Sequence, residues 1–385
     1  MEPEIQPPQP EAPFAAKDAA TTLTPETVVP SLGAWVFHWL RWTFIGGQGL
    51  RAGWSVLIFA IFFVILAQAV GFAFFHLHLL GKKLDFTVSS MFFGELLGVL
   101  AVVGAASIVA RIEDRGSLLA FNLTGPRRIP HLLSGLVAGF AALSALVGAL
   151  AWGGWLHFGP AALSGAAIFK FGAIWGCVFL LVGCQEEGTF RCFLQFTLTR
   201  GINLWWALGL VGAMCASIIL FTKGNGVWGV YAVALLGLFP CLMLHIRKTP
   251  RSGFWQAAWV TSTLFGFVHT FNGGENWIGI FAAALIGFVF CVSIRVTGTA
   301  WWAIGCHAAW DWAETFFYGT ADSGMVAPGH YLTTSPVGNA LWSGGADGPE
   351  GSLLVLGVIL LLLAALLLIY GRRRPGALAA EQVAG

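Results

Sequence analysis

The chain has 385 residues, 57% of them hydrophobic and 10% charged, with a formal net charge of +2; its mean hydropathy is +0.78. A soluble domain carries about 25% charged residues, so this composition excludes an ordinary soluble enzyme and makes lipid the natural solvent. The near-neutral balance excludes a nucleic-acid binder, which needs a basic face to meet phosphates. Seven cysteines (177, 184, 192, 215, 241, 291 and 306) fall in or beside apolar stretches without a CxxC pair. Odd in number and scattered, they indicate neither a disulfide framework nor a zinc–thiolate site; they read as small buried hydrophobes.

Residues 1–33 are rich in Pro, Glu, Ala and Thr, without the basic-then-apolar pattern of a signal peptide, and read as a disordered cytosolic tail. Residues 34–50, AWVFHWLRWTFIGGQGL, are aromatic with an arginine at 41. Two readings fit: a helix lying in the membrane interface, or the frayed start of the first span. A crossing helix needs about 20 apolar residues. That criterion predicts an all-α, polytopic transmembrane bundle of about ten spans (eight to ten), near 53–75, 89–111, 131–155, 165–199, 204–222, 228–246, 254–272, 277–294, 299–318 and 352–371. The segment 165–199 exceeds one bilayer thickness and is expected to tilt, kink or protrude.

Cytoplasmic loops carry the excess of Lys and Arg. With the N-terminus inside, that side receives Arg41, Arg51, Arg111, Arg115, Arg127, Arg128, Arg200, Arg247, Lys248, Arg251, Arg295 and Arg372 to Arg374, and the other side only Lys82, Lys83 and Lys223. Both termini are therefore expected in the cytoplasm, the polar loop 319–350 outside, and the protein in the cell membrane.

Ionisable side chains inside spans are costly and mark functional candidates. They are Glu95, Lys170, Glu186, Glu187, Arg191, His269, His307, Asp311 and Glu314. In CQEEGTFR, Glu187 and Arg191 stand four apart and can pair on one helical face. Glu186 points elsewhere without a local partner; it reads either as a general base or as part of a structural ion-pair group. In TLFGFVHTFN, His269 lies one turn beyond Phe265 and reads as catalytic or as a helix-bridging hydrogen bonder. In WWAIGCHAAWDW, His307 and Asp311 share a face, and a carboxylate there can fix the imidazole tautomer. Glu95, Lys170 and Glu314 have no argued role beyond helix–helix hydrogen bonding. At 1.5 Å per residue, Glu186 lies roughly 21 Å from Arg200, His269 about 27 Å from Arg251, and His307 about 18 Å from Arg295. Three helices thus bring acid–base groups to similar depths, and the expected access is from the cytoplasmic side.

These residues resemble a known family. EEGTFR is similar to the EExxxR motif, FGFVH to FxxxH and HAAWD to Hxxx(N/D) of the CPBP intramembrane proteases, which group type II CAAX prenyl endopeptidases with bacterial Abi, or bacteriocin-immunity, proteins. RVTGTAWWAIGCHAAWDW also resembles the stretch that leads into the family's last motif. The resemblance covers roughly 165–318. It implies a protease core over 161–320 whose site opens toward the cytoplasm; hydropathy and charge add N-terminal transmembrane helices over 34–160, an extracytoplasmic loop at 321–350, a final span at 351–371 and a cytosolic tail at 372–385. It also implies an endopeptidase in which Glu186 activates water with help from His269. His307 and Asp311 then meet the oxyanion, while Glu187, Arg191 and Phe265 support them. Its implied partners are membrane lipids and a peptide or lipid-modified protein substrate.

Two features depart from the pattern. An extra apolar hairpin occupies about 204–246, and residue 311 is Asp where an amide is often found. An ionised Asp311 cannot donate to an oxyanion, so it is either protonated or orients His307. Glu186, His269 and His307 are also a possible Zn²⁺ ligand set, although HExxH is absent; metal-dependent and metal-free water activation both remain open. Two other functions compete: a non-catalytic immunity or scaffold factor of the same family, and a proton-coupled transporter, for which no internal repeat is found.

Overall fold

The computed structural model describes residues 32–47, 49–80, 87–223, 227–250 and 252–371. The expected tails at 1–31 and from 372, with Lys82, Lys83, Arg251 and Arg372 to Arg374 of the charge count, lie outside the described residues. The chain divides into a unit ending at Phe44 and a second beginning at Ile45. In the first, α1 (Leu32–Phe44) is a single aromatic helix. Trp35, Trp39 and Trp42 are exposed and form a ladder with centroids 5.7 and 5.5 Å apart.

Among the described residues, the second unit is helical apart from its loops and two short antiparallel pairings, the hairpin of β1 (Ile45–Gly46) with β2 (Gly49–Leu50) and the long-range pair of β3 (Leu156–Phe158) with β4 (Thr334–Pro336). Its helices are α2 (Ala52–His76), α3 (Val88–Ile112), α4 (Arg128–Trp152), α5 (Ala166–Glu187), α6 (Gln195–Gly201), α7 (Leu204–Phe221), α8 (Val227–Ile246), α9 (Ser252–His269), α10 (Trp277–Thr297), α11 (Trp301–Asp311), α12 (Ala340–Ser343) and α13 (Leu353–Tyr370). A π-helical turn, Gly188–Leu194, joins α5 to α6, and another, Trp312–Tyr318, continues α11. Each of the ten predicted spans coincides with a helix, and eight are long and apolar enough to cross a membrane. The other two, α9 and α11, carry His269 and His307. Buried Gln256, Thr261, Ser262 and Thr263 lower the apolarity of α9, and α11 with its π turn holds His307, Asp311 and Glu314. The overlong 165–199 segment runs unbroken as a 36-residue helical stretch, and its irregularity is the π turn directly after the two glutamates.

Helix α4 lies along α11 because small residues let the two backbones touch, the usual means of close packing inside membranes. A Cβ on Gly135 would lie 2.2 Å from the Trp302 carbonyl oxygen, one on Gly139 2.0 Å from that of Cys306, and one on Gly305 2.3 Å from that of Leu132. This contact sets the position of α11, and hence of His307. Gly139→Ala must therefore push α11 outward. The expected result is a loss of about 1–3 kcal/mol, read as a lower Tm in detergent; an unchanged Tm would contradict the packing described here.

One end of the second unit collects basic side chains. There Glu113, just past α3, accepts hydrogen bonds from Ser55, Arg115 and Arg200, the last at 2.9 Å. Burial alone would raise the Glu113 pKa, but the bonds from Arg200, Ser55 and Arg115 outweigh it and hold the carboxyl below its ordinary range. The group ties α2, α3 and α6 together. At the opposite end the segment 319–352 folds back over the helices. Asn276 begins α10 by capping the Ile278 and Gly279 amides. It also grips this segment, its amide Nδ2 donating to the Gly351 carbonyl at 3.0 Å and its backbone N–H to Asp347 Oδ2 at 3.0 Å. Among the described residues all seven cysteines are unbridged, and Cys192, Cys241, Cys291 and Cys306 are buried.

Candidate active site

Glu186 and Glu187 occupy the last turn of α5, where the π turn begins, and face different surroundings. Glu187 is fully buried and accepts a 2.8 Å hydrogen bond from His307 Nδ1. Its other oxygen lies 3.2 Å from Arg191 Nε, an ion-pair contact rather than an aligned hydrogen bond. The Arg191 guanidinium sits 4.2 Å from the Phe265 ring centroid, 5.5 Å from Phe290 and 5.7 Å from Phe190. Such faces attract a cation, and the bare backbone of Gly287 makes room for it: a Cβ there would lie 2.3 Å from Arg191 Nη2. Phe265 of FGFVH is thus the platform for the arginine of EEGTFR. Asn122 Nδ2 donates to the Arg191 carbonyl at 2.8 Å and steadies the π turn from a third element.

His307 is the hub. With Nδ1–H committed to Glu187, its Nε2 lies 3.4 Å from Asp311 Oδ2 and 3.7 Å from Glu186 Oε2. Glu187, on a neighbouring helix, makes the hydrogen bond to the ring, and Asp311, one turn along as the i, i+4 spacing suggests, faces the other ring nitrogen. Glu186 Oε2 has no hydrogen-bond partner among the described residues, in keeping with its expected isolation. His269 donates from Nδ1 to the Phe265 carbonyl at 2.7 Å. A carbonyl only accepts, so the neutral ring keeps Nε2 as an acceptor.

Glu186, His269, His307 and Asp311 all line one cavity of about 190 Å³, room for several waters. Sequence reasoning left Glu95 of α3 without a role and missed much of the rest of the lining: Met91 of α3, Asn272 after α9, Asp322, Ser323 and Met325 of the folded-back segment, Glu350, and Val355 and Ile359 of α13. No local motif marks them, because four separate elements deliver them. Lys170 and Glu314 do not line it.

The lining lies toward one end of the second unit. Met91, Glu95, Val355 and Ile359 lie in the first turns of α3 and α13, and Asn272 just beyond the last turn of α9, so the cavity reaches the end covered by residues 319–352. Glu113, Arg115 and Arg200 lie at the other end. His269, the last residue of α9, lies nearer the covered end than the arginine end.

Segment 319–352 is pinned by carboxylates. Thr315 Oγ1 donates to Asp322 Oδ2 at 2.8 Å, Ser323 Oγ to Glu275 Oε1 at 2.9 Å, and Trp310 Nε1 to Glu350. Burial is the main cause that lifts Asp347 to about 7, with Glu275 and Asp322 adding to it against the Asn276 amide. Burial likewise lifts Asp322 and Glu350 above the usual carboxylate range.

Glu186, His269 and His307, the possible Zn²⁺ ligand set, share the cavity, yet among the described residues no three His, Cys, Asp or Glu side chains are grouped so as to hold a metal ion, so the set does not fit one.

Residues 241–313 match the family described as type II CAAX prenyl endopeptidase Rce1-like. The chain carries a domain of that family over this stretch, within a polytopic membrane protein. The match takes in FGFVH and HAAWD, and stops short of EEGTFR. Searches among curated proteins and solved structures found no match.

Proposed function

We propose that the chain is an intramembrane endopeptidase that hydrolyses a peptide bond with water activated by Glu186. The observation that carries this is the unpartnered Glu186 oxygen at 3.7 Å from His307 Nε2 in a shared cavity. Glu186 takes a proton from a cavity water, and the oxygen attacks the substrate carbonyl. His269, with Nε2 as acceptor, helps to orient that water. In its doubly protonated form His307 donates from Nδ1 to Glu187 and keeps Nε2–H for the developing oxyanion, the group that most needs a fixed donor. Asp311 orients the ring from the Nε2 side. Glu186 then passes its proton to the departing nitrogen as the C–N bond breaks.

The purified protein in liposomes, given a library of apolar peptides with and without prenyl groups, tests this by mass spectrometry. Defined cleavage products support it. A folded protein that cuts nothing, while its motif variants change only stability or partner binding, would favour the immunity or scaffold role.

By the charge rule we also place the arginine end in the cytoplasm, which turns the cavity outward. In a background whose native cysteines are replaced, Met325→Cys should react with a membrane-impermeant maleimide added to intact cells. Labelling only in inverted vesicles would reverse the orientation.

A further inference from the structure

Segment 319–352 is held over the cavity by two side chains of like charge that face each other across the closure. On the segment, Asp347 is 1% exposed; its Oδ2 accepts from the Asn276 backbone N–H, and its buried Oδ1 has no donor among the described residues. On the loop before α10, Glu275 Oε1 accepts from Ser323 Oγ and, at 3.3 Å, from Asn272 Nδ2, while its buried Oε2 likewise has no donor among them. The two carboxylates meet over the bare backbone of Gly279. A Cβ there would lie 2.4 Å from Asp347 Oδ2 and 2.6 Å from Glu275 Oε2, so these oxygens stand no more than about 5 Å apart, the two distances laid end to end. The closure is tightest at the same place: Gly324 N–H donates to the Asp347 carbonyl at 3.2 Å, and a Cβ on Gly274 would lie 2.3 Å from Gly324 Cα.

No cation answers this pair. Between Arg251 and Arg372 the sequence holds one arginine, Arg295, and no lysine, and Arg295 stands in the last turn of α10, at its far end. The titratable groups around the pair are Asp322 and Glu350 of the segment itself, then Asp311 and Glu314 of α11 and its π turn. Glu186, His269 and His307 lie beyond them in the cavity. At this end α12 and α13 bring no titratable side chain. Two carboxylates sharing so small a space do not both ionise without cost, and one proton between them relieves it. Burial, with Glu275 and Asp322 adding to it against the Asn276 amide, lifts the Asp347 carboxyl to about 7.

We infer that Asp347 and Glu275 form a proton-operated clasp: segment 319–352 stays closed over the cavity while the pair holds a proton, and lifts when that proton leaves to bulk water and the two carboxylates repel. This concerns entry to the cavity and does not rest on the peptidase reading. A carboxyl lifted in the closed state and ordinary in the open one favours closure fully below about pH 4. That advantage falls away as the pH climbs to about 7 and is gone above it.

The test reads the position of the segment. Full-length protein in nanodiscs, its native cysteines replaced, is spin-labelled at Met325→Cys on the segment and Phe169→Cys on α5, both exposed in the wild type. Double electron–electron resonance gives the distance between the labels. The ratio of open to closed distances should rise by up to about tenfold per pH unit from about pH 5 to about pH 7, the limit for one proton, and level off above about pH 8. Asp347→Asn keeps an acceptor for the Asn276 N–H but cannot ionise, and should stay closed throughout. Glu275→Gln leaves Asp347 in place and should at least halve the rise. A wild-type distance that does not move with pH would overturn the inference, and so would a rise undiminished in both variants. A rise lost in Asp347→Asn but undiminished in Glu275→Gln would overturn it too, because Asp347 would then titrate alone. Hydrolysis plays no part in the readout, so a protein that cuts nothing yet shows the rise and its loss in the variants upholds the clasp and sinks only the peptidase reading.

Discussion

Glu186→Gln should lower peptide hydrolysis by about 10²- to 10⁴-fold, the contribution of a positioned general base, while Tm stays within a few degrees of wild type. The substitution keeps the shape and one acceptor beside His307 Nε2, but an amide cannot take a proton from water. Glu186 makes no hydrogen bond through its buried oxygen, and its contact with His307 Nε2 is a long 3.7 Å, so its neutral isostere should cost the fold little. The readout is the single-turnover rate of a cleaved library peptide in liposomes, with Tm measured on the same preparation. Retained turnover would remove Glu186 from the mechanism. Loss of both turnover and Tm would make it a structural residue.

Arg191→Met is expected to be the most damaging substitution for stability. It leaves Glu187, at zero exposure, without its arginine and with His307 as its one remaining partner among the described residues; breaking a buried pair from one side costs about 3–5 kcal/mol. It also empties the space that Phe265, Phe290 and the bare Gly287 reserve for a guanidinium. The double variant Glu187→Gln/Arg191→Met should recover much of the loss, because no buried charge is stranded and the new amide oxygen can still accept from His307 Nδ1. Unfolding titrations in detergent read the difference. A single variant that loses less than about 1 kcal/mol, the range of exposed pairs, would mean that the pair is not the brace described here.

The helices were legible because each span is a long apolar run, and the i, i+4 pairs Glu187–Arg191 and His307–Asp311 survive as contacts of 3.2 and 3.4 Å. What crosses between helices was not. The bond from His307 to Glu187 joins residues 120 apart, and helical spacing cannot see it. The π turns after Glu187 and Asp311 leave no compositional mark, although such distortions gather at functional sites. Residues 319–352 read as a polar loop because turns and glycines dominate them. Their folding back on the cavity depends on side chains as distant as Asn276, Thr315 and Trp310. Charge counting likewise orders the two ends of a bundle but does not say toward which end a cavity lies.

The most direct test of the central claim is single-turnover cleavage in H₂¹⁸O, with the fragments weighed by mass spectrometry. Water activated in the shared cavity predicts one ¹⁸O in the new carboxylate of the N-terminal fragment for the wild type, and no fragment above background for Glu186→Gln. Fragments free of ¹⁸O, or labelled fragments formed equally fast by Glu186→Gln, would contradict the account.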